Sequence, residues 1–427
     1  MITIDTDTTW SEDKDYSGED ILITNGATLT IDSHAAGDRR LYIICDNLTI
    51  DAGAKISGDG KGYRGGKGAS RTINGEDGEG PGGGGRAPKD TSYGRGGGGG
   101  GYGGNGGNGG AGGGGGTAYG NENEAIFPGS GGGGGSSTVM YYDHAYGGNG
   151  GAGFGIWVKN KLVLNGAITS KGSKGTDESS KKAGGGGGGS GGGIQILCRI
   201  LEGSGEINVD GGKGGSSTYD GCYGGGGGAG GRIALFGITS NSQITLSASG
   251  GQYGTGTRGN GTSGQSGTIV DGIRPSSAIV DEDIKFYKCQ NWEEGDSHGG
   301  DISEEEITSD ELENIFDNVT DEERVSGKTE YRKIFVKFSH PIFWPKLWID
   351  QFTSNPDDEI FICASGTNED TQAEAKNYSY SSPDSFENGI ELGLVIASGY
   401  KPIWIKRVVQ PNSRPYHFNT FRLGVGF

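Results

Sequence analysis

The chain has 427 residues and a formal net charge of −18; 94 residues are glycine and only 31% are hydrophobic. Glycine at about three times its usual share excludes an even globular composition, the 11 prolines exclude collagen, and an aromatic share of 9% argues against plain disorder. The acidic balance excludes nucleic acid and anionic membrane as partners, because both recruit basic patches.

At the N-terminus, Met1 to Asp7 alternates Asp with no basic segment, so no secretory signal is expected. Apolar runs such as Leu41-Tyr42-Ile43-Ile44 stop far short of the roughly 20 residues of a membrane span. Ile21-Leu22-Ile23 and Leu29-Thr30-Ile31 read as a starting rung, followed by Leu41 to Ile44, Asn47 to Ile50 and Ala54 to Gly58. Residues 1–57 are therefore expected to form an N-terminal β cap and first rungs.

Between Gly58 and Gly272 lie 80 of the glycines. Within this stretch apolar blocks begin at Ile156, Ile194 and Ile233, spacings of 38 and 39, and closing elements place Ile168, Ile207 and Leu246 39 apart twice. Alternating apolar residues closed by turn residues predict short strands. Repeats that bury a face only by stacking predict a short parallel β-helix, or solenoid. Residues 58–153 stand as a glycine-rich insertion between the first copy and the rest, and a glycine arm precedes each strand block: 147–155, 184–193 and 224–231.

The insertion carries a strict triplet, Gly103-Gly104-Asn105-Gly106-Gly107-Asn108-Gly109-Gly110-Ala111. Polyproline-II-type helices have three residues per turn and satisfy no backbone group internally. Glycine lets such helices approach closely enough to satisfy one another laterally, so residues 58–274 are expected to combine β-helix repeats with a packed polyglycine II bundle. Flexible glycine loops hanging from a β-helix are the alternative.

After Arg274-Pro275 the composition becomes ordinary, and residues 277–427 carry 14 Lys and Arg against 28 Asp and Glu. Residues 275–427 are expected to hold an acidic linker and a β-sandwich of jelly-roll type. Its strands are read at Arg332–Lys337, Lys346–Ile349, Glu359–Ile362, Ile390–Ile396, Pro402–Arg407 and Phe421–Val425. Ser303 to Phe316 is expected to be a short acidic helix, with Ser303 as N-cap and Glu306 closing a capping box.

The segments Ile307-Thr308-Ser309, Asn314 to Thr320, Gly327 to Lys337, Lys346 to Ile349 and Gly399 to Arg407 together resemble a recurrent β-sandwich domain of bacteriophage virion proteins, over about the last 130 residues. His340-Pro341-Ile342-Phe343-Trp344-Pro345 departs from that pattern as an apolar stretch suited to a contact surface. The glycine-rich part is similar in composition and architecture to polyglycine II adhesins at phage tail-fibre tips, a likeness that assigns no residue roles.

Chemistry is sparse. Asp59, Glu206 and Asp210 lie near rung ends without the paired acids of a depolymerase in the equivalent repeats. His34, His144, His298, His340 and His417 have no zinc-ligand spacing, the five cysteines form no C-x-x-C pair and read as buried free thiols, and no phosphate-binding glycine motif follows a strand. Asp281 to Glu313 leaves a calcium ion open, but no catalytic residue, metal or cofactor is expected.

The informative residues are loop aromatics between glycine arms: Tyr93, Tyr102, Tyr119, Phe127, Tyr141, Tyr142 and Tyr146, with Tyr219, Tyr223 and Tyr253. Tyrosines on loops of a rigid scaffold suit recognition, although the same residues could cap and pack the bundle ends. The segments Thr117–Phe127 and Thr138–Tyr146 are the best receptor-contact candidates. The expectation is a non-enzymatic structural protein of the virion surface, a tail-fibre or tail-tip component whose partners are other virion proteins and a host-surface receptor, protein or glycan. A head fibre or capsid decoration protein, a β-helix polysaccharide depolymerase and an ice-binding polyglycine protein are the alternatives, and homo-oligomerisation is left open.

Overall fold

The computed structural model of the protein describes residues 1–427 except 35, 38, 91, 139–144, 180, 181, 238, 274–283, 309–313, 340–344, 394, 396–398, 416–419 and 427. It is mainly β, with 38% of residues in strands and 3% in helices. Two compact units divide it, Met1–Pro275 and Ser276–Phe427.

In the first unit the strands are β1 (Ile2–Ile4), β2 (Thr8–Trp10), β3 (Lys14–Ile23), β4 (Thr28–Ile31), β5 (Leu41–Ile50), β6 (Lys55–Ser57), β7 (Gly153–Leu164), β8 (Ala167–Thr169), β9 (Gly193–Gly203), β10 (Glu206–Asn208), β11 (Arg232–Gly237), β12 (Thr239–Ser242), β13 (Thr245–Ser247) and β14 (Thr268–Ile273). They sort into two parallel sheets. One runs β1-β3-β5-β7-β9-β11-β14, with β12 also on β9, and the other β2-β4-β6-β8-β10-β13. Each turn of chain thus adds one strand to either sheet. Strands within residues 1–57 pair directly with later ones, β5 with β7 and β6 with β8, so the expected cap is continuous with the rest of the unit.

Alternation explains the core between the sheets. In β5, Leu41, Ile43, Cys45, Leu48 and Ile50 are buried, and the parity changes after Cys45, where the pairing with β7 shifts register. Ile168, Ile207 and Leu246 stack in register, as their spacing predicts. The longer strands correct the sequence alignment: Ile194 pairs with Ile233 and with Phe154, while Ile156 pairs with Ile196. An offset of two keeps the same face inward, so the hydrophobic pattern alone does not distinguish the registers.

The second unit contains β15 (Ile284–Asn291), β16 (Gly299–Glu306), α1 (Asp321–Ser326), β17 (Lys328–Phe338), β18 (Lys346–Gln351), β19 (Asp358–Cys363), α2 (Gln372–Ala375), β20 (Ile390–Glu391), β21 (Tyr400–Val409) and β22 (Arg422–Gly426). An antiparallel five-stranded sheet, β16-β15-β17-β21-β19, and a three-stranded sheet, β20-β18-β22, share a core of Ile334, Val336, Phe338, Leu347, Ile349, Ile360, Ile362, Ile403 and Ile405.

The helix expected from Ser303 is not formed. Residues 299–306 make β16, where Glu306 pairs with Lys285 at 2.8 Å and Glu305 with Lys288 across the sheet, so lysines of β15 neutralise the glutamate run. The capping box lies one segment later: Thr320 Oγ1 accepts from Glu323 N at 3.2 Å, and Glu323 Oε2 accepts from Thr320 N at 2.8 Å. Residues 309–313 of the expected helix, and His340 to Trp344 of the apolar departure, lie outside the described residues.

Candidate functional site

The glycine arms are ordered by hydrogen bonds between arms. In the segment 96–101, Gly96 and Gly99 donate to Gly110 and Gly107, Gly97 and Gly100 to Gly185 and Gly188, and Gly98 and Gly101 to Gly85 and Gly82, at 2.8–3.1 Å. Its carbonyls accept from three further segments: Gly113 and Gly116, Gly226 and Ala229, and Gly133. Each third residue therefore addresses the same neighbour, and six neighbours surround one chain. Gly185 to Gly192 repeats the pattern, with 185, 188 and 191 donating to 223, 226 and 229, with 186, 189 and 192 donating to 176, 173 and 170, and with 187 and 190 donating to 133 and 130.

Such packing leaves no room for side chains. A Cβ on Gly97, Gly98 or Gly99 would lie 2.1, 2.0 or 1.9 Å from the carbonyl oxygen of Gly133, Gly114 or Gly227. At the array surface every third residue is free to differ. Asn105 and Asn108 are exposed, and their carboxamide oxygens each accept a backbone N–H at 2.8 Å, from Ala118 and Gly115. Inside it, Ser130 and Ser190 are fully buried. Ser190 Oγ accepts from Ser130 N at 2.9 Å and Ser130 Oγ from Gly82 N at 3.0 Å.

The array has two ends with different chemistry. Near the strands, the 117–127 segment is stitched down: Phe127 O accepts from Gly193 N, Asn123 O from Gln195 Nε2 and Tyr119 O from Arg232 Nη2, at 3.0, 2.8 and 3.0 Å. The Tyr102 and Tyr119 rings pack with centroids 4.9 Å apart, and the Arg40 guanidinium lies 4.4 Å from the centre of the Phe127 ring. Burial pushes both phenols above their ordinary pKa. Tyr102 is fully buried and offers no surface to a partner, which corrects its place among the contact candidates. Tyr119 and Phe127 are partly buried and held by this network, so these two rings pack the array end, while Asn121 to Asn123 of the same segment are exposed.

At the far end, short bridges join loops from different turns: Ser137 to Ala183, Glu178 to Ser217, Ser217 to Gly256, Gly94 to Cys222 and Tyr223 to Gly259. Arg258 lies 3.7 Å from the Tyr93 ring centre and donates from Nε to the Tyr223 hydroxyl at 2.8 Å. Tyr146 and Tyr219 are 37% and 38% exposed there, and Tyr253 is exposed on its arm. Tyr141 and Tyr142 lie outside the described residues. Sequence reasoning passed over Arg258, although it is the lone Lys or Arg from Ser247 to Gly267, a signal that was open to view.

The acidic candidates have structural partners. Asp59 Oδ1 accepts from Lys171 N at 2.7 Å, and Asp210 Oδ1 accepts from Ser247 Oγ and Ser249 N at 2.6 and 2.7 Å, each carboxylate serving the next turn. In the second unit Glu294, Asp317 and Glu330 converge within 4.8 Å. The Lys328 ammonium already sits among Glu294, Glu323 and Glu330 at 3.5, 2.6 and 2.9 Å, and Arg407 lies 3.6 Å from Glu330, so the chain's own cations fill the place a metal would take. All five cysteines are free thiols and buried, and burial pushes Cys45 and Cys198 up to about 12.

No protein-family model, curated protein or solved structure matches the chain.

Proposed function

We propose that the protein is a non-enzymatic virion surface component, a tail-fibre or tail-tip protein that reads a host-surface receptor. In this reading the first unit is a parallel β-solenoid whose turns run out into a polyglycine II bundle, and the second is a β-sandwich that engages other virion proteins. The observation that carries it is the six-neighbour hydrogen bonding of residues 96–101. It makes a rigid support from residues without side chains, and the loops at its far end are where Tyr146, Tyr219 and the Tyr93–Arg258–Tyr223 cluster collect. Aromatic and arginine side chains on rigid loops suit protein or glycan surfaces, because they offer large contact area at small entropic cost. Among the described residues no helix is long and apolar enough to cross a membrane.

The test is binding of labelled full-length protein to a panel of intact bacteria, beside Tyr146→Ala/Tyr219→Ala and Tyr119→Phe variants. Saturable binding that falls at least about 10-fold in the far-end variant, a loss typical of removed contact residues, and is unchanged by Tyr119→Phe supports receptor reading by the far loops. Absence of binding across the panel, or equal binding by all forms, rejects it in favour of a structural or decoration role.

A further inference from the structure

Strand β17 is buried on both faces from Glu330 to Val336. Ile334 and Val336 enter the core between the two sheets, whereas Tyr331 packs on the opposite face with Trp404, Cys363, Ala375, Tyr378 and Tyr380. Lys333 shares that second face and has no exposure. Its Nζ lies 2.5 Å from Asp370 Oδ1, with the two side chains 0% and 3% exposed.

The contact does not have hydrogen-bond geometry. Nζ donates to the carbonyl oxygens of Gly300, Asn368 and Asp370 at 2.8, 2.9 and 3.2 Å, and buried Oδ1 accepts no hydrogen bond. The other oxygen is crowded with donors. Oδ2 accepts from the Tyr378 hydroxyl at 2.8 Å, from Trp404 Nε1 at 3.1 Å and from Thr367 N at 3.1 Å. A nitrogen nucleophile is thus set against one side of a carboxyl group while three fixed donors hold the other oxygen. Acyl transfer needs this division, because negative charge develops on the oxygen that stays.

We propose that Lys333 and Asp370 condense into an intramolecular amide bond tying β17 to the loop before α2. The step begins with one proton passing from the ammonium to Oδ1, 2.5 Å away. The freed lone pair on Nζ attacks Cγ, and Tyr378, Trp404 and Thr367 N stabilise the charge on Oδ2. A second proton leaves Nζ for Oδ1, which departs as water while the Oδ2 carbonyl re-forms. Three hydrogens on the ammonium become one on the amide and two on water, with no change of oxidation state and no co-reactant. Folding supplies the proximity that makes the step effectively unimolecular. The proposal is independent of the receptor reading.

Intact mass measurement of the reduced, denatured full-length chain, followed by tryptic mapping, tests it. The chain is expected to be one water lighter than its sequence. No Lys or Arg lies between Leu347 and Asp370 or before Lys376, so trypsin is expected to release one branched product joining Lys333–Lys337 to Leu347–Lys376, uncut after Lys333. A Lys333→Met chain is expected to have the full mass of its own sequence. Full mass in the unaltered chain with cleavage after Lys333, or a water deficit that persists in Lys333→Met, overturns the proposal.

Discussion

A single methyl group separates two outcomes within the glycine array. A Cβ on Gly99 would fall 1.9 Å from Gly227 O, whereas at Gly114 nothing lies within 4 Å. Gly99→Ala is expected to lower stability by about 3 kcal/mol, the upper end of what overpacked interiors typically cost. Gly114→Ala is expected to be neutral or to stabilise by about 0.5 kcal/mol through the unfolded chain. Thermal unfolding of the two variants beside the parent checks both. In the second unit, burial first and the Arg332 charge next hold the His298 imidazole neutral, down at about 4 from 6.5, and its Nε2 accepts from Lys333 N at 2.8 Å. The unfolded chain takes up this proton first, so the contribution is complete above 6.5 and fades as the pH falls toward about 4. Denaturant midpoints followed by tryptophan fluorescence are expected to fall over that window in the parent and to fall less in His298→Gln.

Elements were legible where side chains carry a period. The 39-residue spacing of Ile168, Ile207 and Leu246 located the short parallel strands, and the runs from Arg332, Lys346, Glu359 and Pro402 located β17, β18, β19 and β21. Ser303-x-x-Glu306 misled because a capping pattern is also compatible with a strand whose glutamates meet lysines across the sheet; Thr320-x-x-Glu323 is the same pattern in a true helix start. Thr320→Ala is expected to cost about 1 kcal/mol by removing that cap. Ile207 is fully buried between stacked Ile168 and Leu246, so Ile207→Ala is expected to cost about 2–5 kcal/mol. Chemical denaturation of each variant measures the difference. The candidate site was legible only in part. Tyr102 and Tyr146 stand in similar glycine-rich surroundings in the sequence, yet one is sealed at the strand end and the other exposed at the far end, because glycine carries no side chain to mark which arm lies beside which.

At the scale of the molecule, three-residue periodicity in the insertion foretold laterally bonded arms, but not that residues 96–101 would lie among segments drawn from 82 to 229. That placement affects how the far loops can be probed. Removing 58–153 deletes the segment 96–101 together with four of the six segments around it, while the arms from 170 on keep the bonds they make to one another; hydrogen exchange is expected to become rapid at Gly187 and Ser190, whose acceptors at 133 and 130 are removed, and to stay slow at Gly185, Gly188 and Gly191. Point changes at Tyr146 and Tyr219 leave the array intact and isolate recognition from support.

The same placement sets an order of assembly during synthesis. Residues 96–101 leave the ribosome before any of their partners at 113–116, 133, 185–188 and 226–229 exist. At ~5–20 residues per second, the stretch from 101 to 229 takes on the order of ten seconds to emerge. Over that interval Gly97 and Gly100, whose amides and carbonyls all pair with residues at 185–188 and 226–229, have only water to bond, and the low hydrophobic content around them guards against aggregation until those arms arrive.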